Sequence, residues 1–191
     1  MNPIIFHPYS MSRPHEQFET WECLETLKQC YPVYNHLCSA TDDYDRGLYS
    51  VWNKGHGLVI IEQDIVSTQD MVRNLIDSQD IAAAQAYYLH TIEPEPVLAH
   101  RQYTDNMATR WIEQGETQGD LIGLGFAYFS AEAQTYVDIA ALSINRRWDN
   151  LDVRLSQVFY SKGITFSIHY PVAKHNHLSS ALPRSLLYGV Q

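Results

Sequence analysis

The sequence predicts an α/β protein: a mostly parallel sheet with helices on both sides. Three observations carry that expectation. Short apolar runs bounded by glycine, proline or acidic residues alternate with longer stretches of helical periodicity. The run Leu58-Val59-Ile60-Ile61 is apolar without alternation, as in a strand covered on both faces. The helical stretch Leu151 to Ser161 ends at Gly163 and leads directly into another apolar run.

Taken in order, Ile4-Ile5-Phe6 reads as a first strand ended by His7-Pro8. Glu16 to Gln29 is helical, with Phe18, Trp21, Cys23, Leu24 and Leu27 giving an approximate apolar face after Pro14. Tyr31 to Asp43, with Pro32 and no apolar run, predicts no strand. Asp42 to Trp52 predicts a short helix stopped by Gly55 and Gly57. Leu58 to Ile61 is the buried strand, and Thr68 to Asp77 a helix opened by Ser67 or Thr68. Ala82 to Leu89 suits either a strand or a helix. Pro94 and Pro96 mark a loop, and Arg101 to Gly119 is polar without a clear period. Leu121 to Phe129 reads as a glycine-rich strand, Ala131 to Leu142 as a helix, and Ile164 to His169 as a closing strand.

The 191 residues suffice for one compact domain spanning 1–191. No apolar stretch approaches the roughly 20 residues of a membrane span, and the N-terminus lacks the pattern of a signal peptide, so a cytoplasmic location is the expectation. The three cysteines, Cys23, Cys30 and Cys38, suit neither a disulfide framework nor a zinc ribbon and read as buried free thiols. A formal net charge of −9 works against broad binding to nucleic acid and leaves only Arg146-Arg147, Lys174 and Arg184 as local basic candidates.

Four constellations could carry chemistry. Glu62-Gln63-Asp64 follows the buried strand and would put two carboxylates on one face if the chain stayed extended. Two such groups suit a hard divalent cation and the phosphate it brings, although an acidic turn is the plain structural alternative. Asp149-Asn150-Leu151-Asp152 opens a helix, where an aspartate either caps the backbone or serves as a general base. His169, His175 and His177 offer imidazole ligands or a solvated polar tail. Gly119 to Phe126 is glycine-rich enough to let a ligand approach the backbone, but it has neither a dinucleotide fingerprint nor a P-loop lysine.

Together these pieces resemble a small inverting nucleotide-sugar glycosyltransferase of the GT-A type, over roughly residues 45 to 177. Asp45-Arg46-Gly47 and Gly57 are similar to that family's Arg-Asn-x-Gly helix and the glycine after it. Leu58 to Asp64 is similar to its strand ending in Asp-x-Asp, with Glu62 in place of the first Asp. Gly119 to Ser130 resembles its glycine-aromatic segment. Asp152-Val153-Arg154-Leu155 with Gly163 resembles its catalytic-aspartate helix, with Leu151 where the family has Glu. Pro171 and His175 resemble its closing proline and histidine. No segment matches the strand whose aspartate reads the nucleobase.

The resemblance implies a GT-A-like (Rossmann-like) fold and a hexosyltransferase-like activity. A sugar would pass from a nucleotide sugar, a UDP-sugar first, to an acceptor hydroxyl with inversion. It implies Asp64 and His175 (with Glu62 or His177 as lesser candidates) on Mn²⁺ or Mg²⁺. Glu62, Asp64, Arg46 and Gly125 would be donor-binding, and Asp152 the base. The acceptor could be a glycan, a protein, a lipid-linked sugar or a hydroxylated nucleic-acid base. The alternatives are a non-catalytic binding protein on the same scaffold and a metal-dependent hydrolase.

Overall fold

A computed structural model describes residues 2–11, 18–39, 43–89, 97–143 and 151–176. The chain forms β1 (Ile4–Tyr9), α1 (Phe18–Leu27), β2 (Val33–Leu37), α2 (Asp43–Val51), β3 (Leu58–Ile61), β4 (Ile65–Val66), α3 (Gln69–Asp77) and β5 (Ala82–Leu89). It continues through β6 (Val97–Leu98), β7 (Arg101–Tyr103), β8 (Thr109–Trp111), β9 (Gln118–Gly119) and β10 (Phe126–Phe129). α4 (Ala131–Thr135), α5 (Ile139–Ser143), α6 (Leu151–Ser161) and β11 (Phe166–His175) complete it.

The main sheet has the order β2-β1-β3-β10-β5-β11-β4. β1, β2, β3, β5 and β11 run one way, while β10 and β4 run against them. The expected mostly parallel α/β sheet flanked by helices is the observed one. β3 explains why its sequence shows no alternation. Leu58 and Ile60 join α2 and α6 side chains on one face; Val59 and Ile61 join α1 and α3 side chains on the other. All four are fully buried, and each such side chain is worth about 1.5–3 kcal/mol of burial.

The structure corrects several local expectations. Val33–Leu37 is a strand, paired in parallel with β1 from Ile5↔Val33 to Tyr9↔Leu37. It is an edge strand exposed at Tyr34 and Leu37, so it carries no continuous apolar run. Ala82–Leu89 is a strand, because its alanines lie in the middle of the sheet with β10 and β11 on either side. The polar segment after Arg101 folds into the β7–β8 hairpin and β9. Leu121–Gly125 is not strand, leaving only Phe126–Phe129 extended. The helix expected over Ala131 to Leu142 is two short helices, with Tyr136 as the C-cap of the first.

β11 runs six residues past the expected His169, with a register irregularity between His169 and Ala173 around Pro171. α3 has Thr68 as its N-cap, its side chain accepting from Met71 N–H at 3.2 Å. All three thiols are free as expected, but Cys30 is exposed beyond the end of α1 and Cys23 and Cys38 are only partly buried. Asp42, Pro94, Pro96, Arg146, Arg147 and Arg184 lie outside the described residues.

Gly47 shows how closely α2 sits on the sheet. A Cβ there would stand 2.3 Å from the His36 ring of β2. The His36 Nε2 also meets the Asp43 carbonyl at 2.8 Å. Gly47→Ala is expected to lower stability by about 1–3 kcal/mol despite alanine's better helix propensity. Urea denaturation checks this; an unchanged or raised midpoint would contradict the packing.

Candidate functional site

In an open α/β sheet, ligand groups collect beyond the carboxyl ends of the parallel strands. β3 ends at Ile61, β5 at Leu89 and β11 at His175, all on the same edge. α6 precedes β11, so its first turn, with Asp152, lies at that edge too.

Glu62 and Asp64 do not continue an extended strand. The chain turns, with the Ile65 N–H donating to the Glu62 carbonyl at 3.1 Å. Their carboxylates nevertheless remain close enough for each charge to act on the other. Asp64 is buried, and its Oδ2 stands 3.1 Å from His175 Nε2. His175 Nδ1 contacts the Tyr88 carbonyl at 2.8 Å, which fixes the ring with Nε2 toward Asp64. The neighbouring Asn176 N–H donates to the Asp64 carbonyl at 2.7 Å, and His175 pairs in register with Ile65 of β4.

Burial works against the His175 imidazolium, but the Asp64 carboxylate, the Tyr88 carbonyl and Glu62 outweigh it and raise its pKa. Glu62 is pushed up to about 7, first by desolvation and then by Asp64, with Asp152 adding to the repulsion and His175 and Tyr44 opposing it. Asp152 is raised by its own burial, against the Val153 N–H, Arg101 and Arg154. Its Oδ1 accepts from Val153 N–H at 2.7 Å. Asp64 and His175 are thus in contact, and Glu62 feels the charges of both and, more weakly, that of Asp152 on α6.

Other candidates fall elsewhere. His169 pairs with Asp80 at 3.4 Å rather than joining His175. His177, Asp149 and Asn150 lie outside the described residues. Lys174 is engaged with Glu19 of α1. Arg46 is largely exposed on α2, 3.3 Å from Asp43. Gly125 accepts the Glu62 N–H at 2.9 Å and donates to the Tyr87 hydroxyl at 3.0 Å. A Cβ at Gly125 would meet that hydroxyl at 2.7 Å, and one at Gly123 at 2.2 Å. The glycines therefore admit Tyr87, where the sequence had suggested a ligand.

Sequence reasoning missed three residues here. Tyr87 packs edge-on against His175, with centroids 5.5 Å apart. The buried Tyr44 phenol is pushed well above its ordinary pKa by burial and by Glu62. His7 is fully buried within β1, with Nδ1 at 2.8 Å from the Ile61 carbonyl. Its pKa is lowered to about 4 by burial, although Asp64 pulls the other way. None belongs to a motif; the strand end expected at His7-Pro8 is the one available signal, although β1 runs on to Tyr9.

Asp64 and His175 are, among the described residues, the one carboxylate–imidazole contact at this edge that offers oxygen and nitrogen donors. Two nearby carboxylates repel one another, and an imidazole oriented by a main-chain carbonyl turns its other nitrogen toward Asp64. Among the described residues no group of three or more His, Cys, Asp or Glu side chains is placed to hold a metal ion. Ions of the Mg²⁺ type need only one or two carboxylates, with substrate phosphates and waters completing the shell.

No protein-family model matches the sequence, and no curated protein matches it. Among solved structures, A197 from STIV is 13% identical with a TM-score of 0.60, covering 92% of this chain and 85% of that one. The 4-diphosphocytidyl-2C-methyl-D-erythritol synthase from Anaerococcus prevotii is 9% identical with a TM-score of 0.50, covering 94% of each chain. At these identities the likeness concerns the fold: the chain has the mixed α/β, GT-A-like architecture expected from its sequence. No helix among the described residues is long and apolar enough to cross a membrane.

The raised Glu62 pKa sets a pH dependence. The folded state holds this proton more tightly than the unfolded one, whose value is near 4.5. Its contribution to stability is present below that value and is lost as pH rises toward about 7. His175, also raised, adds a loss in the same direction above its ordinary 6.5. Glu62→Gln is expected to flatten the fall between those limits and to gain on the order of 1–3 kcal/mol at pH 8. Thermal unfolding across pH checks this; a variant that keeps the wild-type slope would contradict the assignment.

Proposed function

We propose that this chain is a metal-dependent glycosyltransferase that takes a sugar from a nucleotide-sugar donor, a UDP-sugar first, and passes it to an acceptor hydroxyl with inversion. The observation that supports this most is the shared electrostatic site of Glu62, Asp64, His175 and Asp152 at the carboxyl edge of the sheet. The fold shared with a protein named as a 4-diphosphocytidyl-2C-methyl-D-erythritol synthase is compatible with nucleotide-dependent transfer.

Each residue has a definite task in this scheme. Asp64 and His175 would hold Mn²⁺ or Mg²⁺, with the imidazole favouring Mn²⁺; Glu62 or His177 are lesser ligands. When bound, such an ion offsets the charge that develops on the departing diphosphate. Glu62 would face the donor ribose or the ion's waters, kept in place through its N–H to Gly125. Arg46 would serve the donor side from α2. Asp152 would accept the proton of the acceptor hydroxyl; burial raises its proton affinity, as suits a base. Three free thiols suit a reducing, cytoplasmic setting.

Nucleotide sugars with and without Mn²⁺ test the proposal through thermal unfolding. Binding at a hundred times Kd stabilises the native state by about 2.7 kcal/mol. UDP-sugar plus Mn²⁺ is expected to raise Tm, Asp64→Ala to abolish the metal-dependent part, and Asp152→Asn to keep binding while losing turnover by 10²-fold or more. No shift with any nucleotide sugar would sink the proposal. A shift with no transfer to any acceptor would favour a binding protein, and full turnover in Asp152→Asn would remove its role as base.

A further inference from the structure

We propose that β2 is a dimer interface: two copies of this chain join their sheets edge to edge, with antiparallel β2 strands related by a two-fold axis at Asn35. This goes beyond the transfer chemistry proposed above and does not depend on it.

β2 ends the main sheet on one side. Its inner side pairs with β1 in unbroken register from Ile5↔Val33 to Tyr9↔Leu37. Among the described residues no strand pairs with its outer side. Two bonds fix the direction of its main-chain groups. The Ile5 N–H donates to the Pro32 carbonyl at 2.9 Å, and the Cys38 N–H donates to the Tyr9 carbonyl at 2.7 Å. These groups alternate in direction along a strand, so those of Tyr34 and His36 also face β1. The N–H and C=O of Val33, Asn35 and Leu37 therefore point out of the sheet.

Proteins blunt such an edge by keeping it short, by placing lysine or proline on it, or by a bulge. β4, at the other edge, has two residues. β2 has five, Val-Tyr-Asn-His-Leu, with no lysine, proline or bulge. Charge singles out the same edge. The chain carries a net charge of −9, so two copies repel over most of their surface, yet no carboxylate side chain occurs between Glu25 and Asp42. Tyr34 and Leu37 are exposed there.

A second copy fits this edge in one register. With antiparallel pairing centred on Asn35, Val33 meets Leu37, Tyr34 meets His36 and Asn35 meets its own counterpart. The outward residues then all fall in hydrogen-bonded pairs, each exchanging two main-chain bonds. Tyr34 and His36 already stack beside Phe6, with their own centroids 6.0 Å apart, and the pairing extends that stack across the axis. On the other face Val33 and Leu37 make an apolar cross-strand pair. The pairing uses up the long edge of both copies, so the assembly closes at two.

Sedimentation equilibrium of the full chain over a concentration series, with amide hydrogen exchange on the same samples, tests the inference. The wild type is expected to show a monomer–dimer equilibrium. The Val33, Asn35 and Leu37 amides should be protected at high concentration and lose protection on dilution, while those of Tyr34 and His36 stay protected throughout. Asn35→Pro removes an N–H that faces away from β1, so it spares the β1–β2 ladder. It is expected to weaken dimerisation at least about tenfold. Leu37→Lys, at an exposed position, is expected to act in the same direction and decides the matter should Asn35→Pro not fold. A wild type that stays monomeric at every concentration would overturn the inference. So would a dimer whose Asn35 and Leu37 amides exchange freely, growth beyond the dimer, or wild-type association in Leu37→Lys and in a folded Asn35→Pro.

Discussion

The contact between Asp64 and His175 joins segments more than a hundred residues apart and fixes where the candidate site lies. It stands where the chain leaves β3 and where β11 ends, with the β4–β11 pairing and the Asn176 N–H to Asp64 carbonyl bond beside it. Without it, the turn after β3 would be an acidic loop and the end of β11 a polar strand. With it, a buried carboxylate is held against an imidazole, and the remaining acid, Glu62, is left with repulsion on two sides. That residual repulsion is a local conflict of the kind found at functional sites, where polar groups are arranged for something other than stability.

The fold supplies the rest by direction. β3, β5 and β11 run in parallel, so their carboxyl ends meet at one edge, and α6 brings its first turn there because it feeds β11. β10 runs against its neighbours β3 and β5, and its preceding turn supplies Gly125, which anchors Glu62 on one side and Tyr87 on the other. Tyr87 then packs against both His175 and His100. Under the acids lies an aromatic and backbone support that leaves little freedom to the ring of His175.

How far this was legible in the sequence depended on whether each signal was local. The continuous apolar run of β3 and the α6 stretch capped by Gly163 are properties of a few consecutive residues, and both were found where expected. β2 was missed because an edge strand needs few apolar residues and gets its order from β1. The reversed direction of β10 is a tertiary fact that no periodicity encodes. β11 was expected to end at His169; it continues through Pro171, where a proline removes one ladder donor, and an irregular register carries it to His175. Glu62, Asp64, Asp152 and His175 were all visible as residue types. Their mutual proximity was not, and neither were Tyr44, Tyr87 and His7, which look like core residues until their neighbours are known.

The central claim is that acids from β3's exit and from α6 share one site. The most direct measurement is the carboxyl pKa of Glu62 by nuclear magnetic resonance, in the wild type and in Asp64→Asn and Asp152→Asn. The account predicts a wild-type value near 7 that falls in both variants, further for Asp64→Asn. An ordinary carboxylate value in the wild type, or a Glu62 that responds to neither substitution, would contradict it.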